Sequence, residues 1–223
     1  LGKSIAELKA EGYLPKNMDG ASLPQNTAIA VKAAVLPFSR FRTPEGVVVD
    51  SLLSPEMRST GEVMGLDTLY DTAFAKAQAG AGSPLPTEGK VFVSVANHDK
   101  RNVIIYAKML EQLGFEIVST GGTADVLRRN GVNSTVASKF AEANGQHSIV
   151  DMVRNGEIDL ILNTPAGGAA RSDGYEIRAA AVSVGCPVMT TISEFAAAVQ
   201  AITALRERSW EIINLQEHGE FLR

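Results

Sequence analysis

The sequence predicts an α/β protein whose C-terminal part is a doubly wound parallel sheet, preceded by a shorter α+β segment. From about residue 90 onward, short apolar runs alternate with amphipathic helical patterns, which is typical of βαβ crossovers. The run "DLILN" has three consecutive apolar residues at its centre, as expected of a strand covered by helices on both faces. Before residue 80 only one or two strands are recognisable.

The first part of the chain is broken by loops. Its predicted elements are a helix at 4–14 capped by Ser4, a strand ending near Pro37, and a helix at 67–80 capped by Asp67. The small-residue and proline stretch at 80–89 is the best candidate for a linker. We therefore predict a partial segment at 1–79, a linker at 80–89 and a compact α/β domain at 90–223.

The second part is more regular. Strands are predicted at 91–96, 115–120, 158–164 and 187–191, with one more before Ser138. Helices are predicted at 99–114, 123–131, 148–156, 174–185 and 193–205, the last capped by Ser193.

The composition argues against a nucleic-acid-binding, a membrane-spanning or a disulfide-linked protein. The 223 residues are 45% hydrophobic and carry a formal charge of -4, which gives no basic surplus for nucleic acid or anionic membranes. No apolar run approaches the roughly 20 residues of a membrane span. Cys186 is the single cysteine, so no internal disulfide can form and a reducing cytoplasm is expected. Because the chain starts at Leu1, we expect a piece of a longer protein.

Small, hydroxyl-bearing and basic residues follow the predicted strands. Ligands of open α/β sheets bind at these carboxyl ends, near helix N-termini. The residues are Lys100, Thr120, Gly121, Gly122, Thr123, Lys139, Asn163 and Thr164. Glycine N–H groups, hydroxyls and two lysines suit a phosphate. The alternative is that "STGGT" is only an N-cap followed by a tight turn.

The residues give no sign of catalytic machinery. The three histidines are scattered without metal-ligand spacing, and no nucleophile elbow, Walker A loop or dinucleotide fingerprint occurs. We therefore predict no catalytic residue, no metal site and no cofactor within this chain.

Three stretches carry a family resemblance. "LLSPEMRSTGEVMG", with "VLPFSRF" before it and "AFAKAQ" after it, resembles a signature late in the second ATP-grasp half of the carbamoyl phosphate synthase large chain. The region from Gly89 onward is similar to that family's C-terminal, methylglyoxal-synthase-like domain. On this resemblance the chain is a C-terminal fragment, with 1–79 the end of the carbamoyl phosphate ATP-grasp half.

The resemblance implies an activity for the parent enzyme. Such a ligase makes carbamoyl phosphate from glutamine or ammonia, bicarbonate and ATP for pyrimidine and arginine biosynthesis, using Mg or Mn and K. Its partners would be the rest of the large subunit, the small glutaminase subunit and further copies of itself. The fragment alone would be non-catalytic.

The resemblance also implies an allosteric site for a nucleotide monophosphate, UMP or IMP. The family's site falls on Lys100, Thr120, Thr123, Lys139 and Asn163. A further family threonine is replaced by Pro165. Acidic residues that bind ornithine in some members correspond to Ala33 and Met189, and Thr190 remains from that second effector site. We therefore predict no activation by ornithine.

Three other functions stay open as alternatives. A methylglyoxal synthase would need a catalytic aspartate where this chain has Gln146, and an amide cannot abstract a proton. A purine cyclohydrolase shares the "STGGT" pattern, but "MRSTGEVMG" argues against it. The last alternative is an oligomerisation domain with a vestigial pocket.

Overall fold

The computed structural model describes residues 2–14, 27–40, 43, 56–138, 148–165, 170–214 and 216–217. Its helices are α1 (Ile5–Ala10), α2 (Tyr70–Gly80), α3 (Val103–Gln112), α4 (Gly121–Arg129), α5 (Ile149–Arg154), α6 (Ala170–Val184) and α7 (Ile192–Glu207). Its strands are β1 (Ile29–Val35), β2 (Gly61–Asp67), β3 (Lys90–Ser94), β4 (Glu116–Ser119), β5 (Thr135–Val136), β6 (Leu160–Asn163) and β7 (Val188–Met189).

The first part of the chain is built around a two-stranded sheet. Strands β1 and β2 pair antiparallel, in a register that runs from Ile29 opposite Asp67 to Val35 opposite Gly61. Helix α2 lies on this pair, and Gly65 brings β2 close to the helix backbone. Helix α1 begins at the predicted cap Ser4 and has no buried residue.

The second part contains the predicted parallel sheet. Its five strands lie in the order β5-β4-β3-β6-β7, and every pairing is parallel. Strand β3 is central, and the strand order reverses between β3 and β6. The carboxyl ends of these two strands therefore form the topological switch point, where open α/β sheets bind ligands.

Helices cover both faces of the parallel sheet, as a doubly wound fold requires. One core cluster unites Leu110 of α3, Leu127 of α4 and Phe195 of α7. The other cluster joins Ile149 of α5 and Ile177 of α6 to the opposite face. The central strands β3 and β6 have buried apolar residues on both faces, which confirms the predicted fold class.

Two predicted helix starts are wrong because local turns intervene. Helix α3 was expected from residue 99 but begins at Val103, since Asn97–Asp99 form a separate 3-10 turn. Helix α7 is capped by Thr191 rather than Ser193, and the Thr191 hydroxyl accepts the Glu194 N–H at 3.2 Å.

The predicted cap of α2 is also wrong. Asp67 is still paired in β2, and the N-cap position falls on Leu69. The Asp67 carboxylate accepts the Leu69 N–H at 3.2 Å and pairs with the Lys76 ammonium at 2.8 Å. Asp67 thus ties the strand end to the middle of the helix that follows.

Candidate functional site

Ser94, the last residue of β3, connects the groups that follow the neighbouring strands. Its hydroxyl lies 3.3 Å from the Thr120 hydroxyl after β4. Its carbonyl oxygen accepts the Thr164 N–H at 3.1 Å after β6. The sequence analysis did not single out Ser94, although a serine that closes the run "VFVS" is the available signal.

The predicted turn residues Thr120 and Thr123 are hydrogen-bonded to each other and to the chain just after β3. The Thr120 hydroxyl donates to Thr123 Oγ1 at 3.5 Å, and the Val95 N–H points to the same oxygen at 3.5 Å. Thr123 is buried. Thr120 occupies the N-cap position of α4, yet its side chain makes no cap hydrogen bond. The N–H groups of the exposed residues Gly121 and Gly122 at the start of α4 are therefore not capped by Thr120.

Within the described ranges, the Lys100 side chain approaches this helix start. A Cβ at Gly122 would stand 3.1 Å from the Lys100 ammonium nitrogen, and a Cβ at Gly121 would meet nothing within 4 Å. Neither glycine has a positive φ. Neither backbone conformation nor packing against the described residues therefore requires glycine here. An ammonium group above an uncapped helix N-terminus creates a positive potential suited to an anion.

Asn163 and Thr164 close the site on the other side of β3. The Thr164 hydroxyl accepts the Ala96 N–H at 2.8 Å, so it fastens β6 to the chain that leaves β3. The Asn163 Oδ1 accepts a hydrogen bond from Arg178 Nη1 at 2.9 Å.

Arg178 of α6 is fully buried and was missed by the sequence analysis. The sequence signal for its burial is its position among Ile177, Ala180 and Ala181, which are buried residues of α6. A buried charged side chain requires a specific set of partners, and Asn163 supplies one of them.

A cleft of about 780 Å³ opens next to these residues, at the ends of β6 and β7. Its lining includes Thr164, Pro165 and Thr190 together with His98, Arg101 and Tyr106. The predicted residues therefore fall into two groups. Lys100 and the α4 turn lie on the β4 side of β3, whereas Thr164, Pro165 and Thr190 line the cleft. Lys139 and Gln146 lie outside the described residues.

The residues predicted to correspond to a second effector site lie in both parts of the chain. Met189 is buried, and Ala33 lies in β1 of the first part of the chain. The Thr190 N–H donates to the Glu194 carboxylate at 3.1 Å. Burial raises the pKa of Glu194 above its ordinary value, against the opposing effect of this hydrogen bond.

Among the described residues, no three His, Cys, Asp or Glu side chains are placed to hold a metal ion. Burial, with the nearby charge of Asp159, raises the pKa of Cys186 to about 12, so this thiol stays protonated at neutral pH. No helix in the described ranges is long and apolar enough to cross a membrane.

Comparison with known proteins identifies both the domain and the longer chain to which it is related. Residues 102–190, from the start of α3 to the end of β7, match the family model of the MGS-like domain. The chain is 65% identical to the carbamoyl phosphate synthase large chain of Kocuria rhizophila, in an alignment that covers 100% of the chain. The chain is homologous to part of the carbamoyl phosphate synthase large chain.

Two further carbamoyl phosphate synthase large chains are similar to this chain over nearly its whole length. The carbamoyl phosphate synthase large chain of Pseudarthrobacter chlorophenolicus is 64% identical over 99% of this chain. That of Streptomyces coelicolor is 54% identical over 100% of it. The chain spans about a fifth of the length of these relatives, 20% in each case. The match confirms the resemblance to carbamoyl phosphate synthase, and the MGS-like domain fits the predicted C-terminal position.

Proposed function

We propose that this chain is the regulatory part of a carbamoyl phosphate synthase large subunit and binds a nucleotide monophosphate, UMP or IMP. The observation that carries the proposal is the Lys100 ammonium group above Gly122 at the uncapped start of α4. A phosphate monoester bears nearly two negative charges at neutral pH. The helix N–H groups and the lysine together match that charge.

The sheet topology supports the rest of the proposed site. The nucleoside would extend from the α4 turn toward Asn163, across the ends of β3 and β6, and Lys139 would contribute from the segment after β5. Thr120 and Asn163 offer polar groups to the ribose or base. Ornithine would have no effect, because Met189 and Ala33 offer no carboxylate to an ammonium group.

For the whole protein we propose the activity that its relatives are named for. It would form carbamoyl phosphate for pyrimidine and arginine biosynthesis, using ATP with Mg or Mn and K bound elsewhere in the large subunit. The small glutaminase subunit, the remainder of the large subunit and further copies of the chain would be its partners. Residues 1–79 would belong to the ATP-grasp half, and 90–223 would form the allosteric domain.

Calorimetric titration of UMP, IMP and inorganic phosphate into the 223-residue chain tests this proposal. Loss of a charged hydrogen bond costs about 1.5–3 kcal/mol, so Lys100→Met should weaken nucleotide binding by roughly ten- to a hundredfold. Lys108→Met is the matched control, because Lys108 is an exposed lysine within α3. Absence of binding at millimolar concentration would favour the vestigial oligomerisation domain.

A further inference from the structure

We propose that Arg178 is a positioning residue that fixes the orientation of the Asn163 side-chain amide, so that the effector must present a hydrogen-bond acceptor to Asn163. This inference rests on the nucleotide-binding function proposed above. It assigns a role to a buried arginine that touches Asn163 from the interior of the protein.

The chemistry of the two side chains sets the orientation. A guanidinium group has only N–H donors, so the atom that faces it must be an acceptor. The Arg178 Nη1 lies 2.9 Å from Asn163, and the facing atom is therefore the carbonyl oxygen Oδ1. The amide nitrogen Nδ2 then points away from Arg178.

Packing prevents the amide from turning over. Arg178 is fully buried and Asn163 is 7% exposed. Gly174 of α6 lies against both, since a Cβ there would overlap Arg178 Nη1 and stand 2.7 Å from Asn163 Oδ1. A flipped amide would place two N–H donors against a buried cation and would leave its oxygen elsewhere, an arrangement that costs free energy.

Among the described residues, the partner of the Asn163 amide nitrogen is a weak one at the end of β3. Nδ2 lies 3.5 Å from the Ser94 carbonyl oxygen, at the long limit for a hydrogen bond. Its N–H groups can therefore donate to a better acceptor at the switch point between β3 and β6. A carbonyl or hydroxyl oxygen of the nucleoside fits this position, whereas a ring N–H or an ammonium group does not.

Two variants test the Asn163 N–H donor in different ways. Arg178→Met removes the guanidinium and frees the amide to turn. Asn163→Asp keeps an oxygen toward Arg178 as an ion pair but removes the N–H donor. Asn130→Asp makes the same charge change at the far end of α4 and is the control.

Binding of UMP and IMP should weaken by about five- to tenfold in Arg178→Met, as expected for one neutral hydrogen bond. Inorganic phosphate, held by Lys100 and α4, should bind Arg178→Met within twofold of the wild type. Asn163→Asp should bind the nucleotide more than tenfold more weakly than the wild type. Arg178→Lys should bind it more tightly than Arg178→Met, because lysine keeps an N–H donor toward Asn163. If Arg178→Met does not fold, the Asn163→Asp titration decides.

The side-chain amide resonances of Asn163, assigned by their disappearance in Asn163→Asp, give a second readout. They should shift on saturation of the wild type with the nucleotide that binds. Unchanged resonances, or wild-type nucleotide affinity in either variant, would overturn the role of Arg178 while nucleotide binding stands. If the wild type binds no nucleotide, the proposed function fails and this inference fails with it.

Discussion

Gly121 and Gly122 lie at a helix start where neither backbone conformation nor packing against the described part of the chain requires glycine. Alanine favours a helix over glycine by up to about 1 kcal/mol per residue. We therefore expect Gly121→Ala and Gly122→Ala to raise the free energy of unfolding of the ligand-free chain. Each should also weaken phosphate and nucleotide binding, because the added methyl group occupies the approach to the helix N–H groups.

The two substitutions differ in their effect on Lys100. Only the Gly122→Ala methyl group reaches the Lys100 ammonium, at 3.1 Å, so this variant should lose more affinity than Gly121→Ala. Urea unfolding and calorimetric titration of both variants measure the two effects separately. Unchanged affinity in both would show that "STGGT" is a simple turn, the alternative that the sequence left open.

At the residue scale, the sequence predicts groups whose place follows from topology alone. Lys100 and Thr120 were predicted because residues that follow parallel strands must lie at one edge of the sheet. Arg178 was not, because a single arginine on a helix is usually exposed, and only its apolar neighbours show that it is buried. The bonds of Ser94 depend on three strands at once and have no local sequence signal.

At the scale of elements, the crossing of β2 and α2 depends on Gly65. A Cβ at this position would overlap the Ala73 carbonyl oxygen and stand 2.6 Å from the Ala77 nitrogen. Both atoms belong to the helix backbone and cannot move aside. Gly65→Ala should therefore lower the free energy of unfolding by about 2 kcal/mol or more. Gly61→Ala, in the same strand with nothing within 4 Å, should change it by less than about 0.5 kcal/mol in the same urea titration.

The carboxylates of Asp67 and Glu194 should make the stability of the fold depend on pH in opposite directions. Burial alone would raise the pKa of Asp67, but hydrogen bonds from Lys76, Leu69 and Thr68 and the Lys76 charge lower it below 3.8. Ionised Asp67 thus stabilises the folded chain, and this contribution is lost as the pH falls below about 3.8. The stability difference between the wild type and Asp67→Asn should shrink toward low pH.

Glu194 should behave in the opposite way, because burial raises its pKa above 4.5. The folded chain favours the protonated form, so stability falls as the pH rises from 4.5 to the raised value. Glu194→Gln should gain stability relative to the wild type over that interval and keep a constant advantage above it. Urea unfolding between pH 3 and 7 measures both variants. If the free energy of unfolding of a variant changes with pH in the same way as that of the wild type, the pKa shift of that carboxylate is contradicted.

The elements that the sequence missed depend on pairing rather than local pattern. The run "GEVMGLD" contains two glycines and reads as a loop, but its pairing with β1 makes it a strand. Helix α3 starts late because the polar residues after β3 form their own turn before the apolar periodicity begins. The parallel sheet was predictable because β3, β4 and β6 each have an apolar centre of their own.

At the scale of the whole molecule, α2 connects the two parts that the sequence analysis separated. Phe74 and Ala75 of α2 belong to the same core cluster as Phe195 and Ala198 of α7. The Asp71 carboxylate also pairs with Arg208, just after α7, at 2.7 Å. This partly exposed ion pair adds little, so the apolar contact dominates the connection.

This packing predicts how shortened chains will unfold. A chain that starts at residue 69 keeps α2 over α7, whereas one that starts at residue 90, after the predicted linker, exposes that face of the core. Removal of a buried phenylalanine alone costs about 3–5 kcal/mol, so the shorter chain should be less stable by at least that amount. Removal of residues 1–14 is the control, because α1 buries no side chain. Phe74→Ala in the uncut chain should reproduce most of the loss. If thermal unfolding shows equal stability with and without α2, then α2 is not part of the α/β core, and the folding boundary lies at the linker.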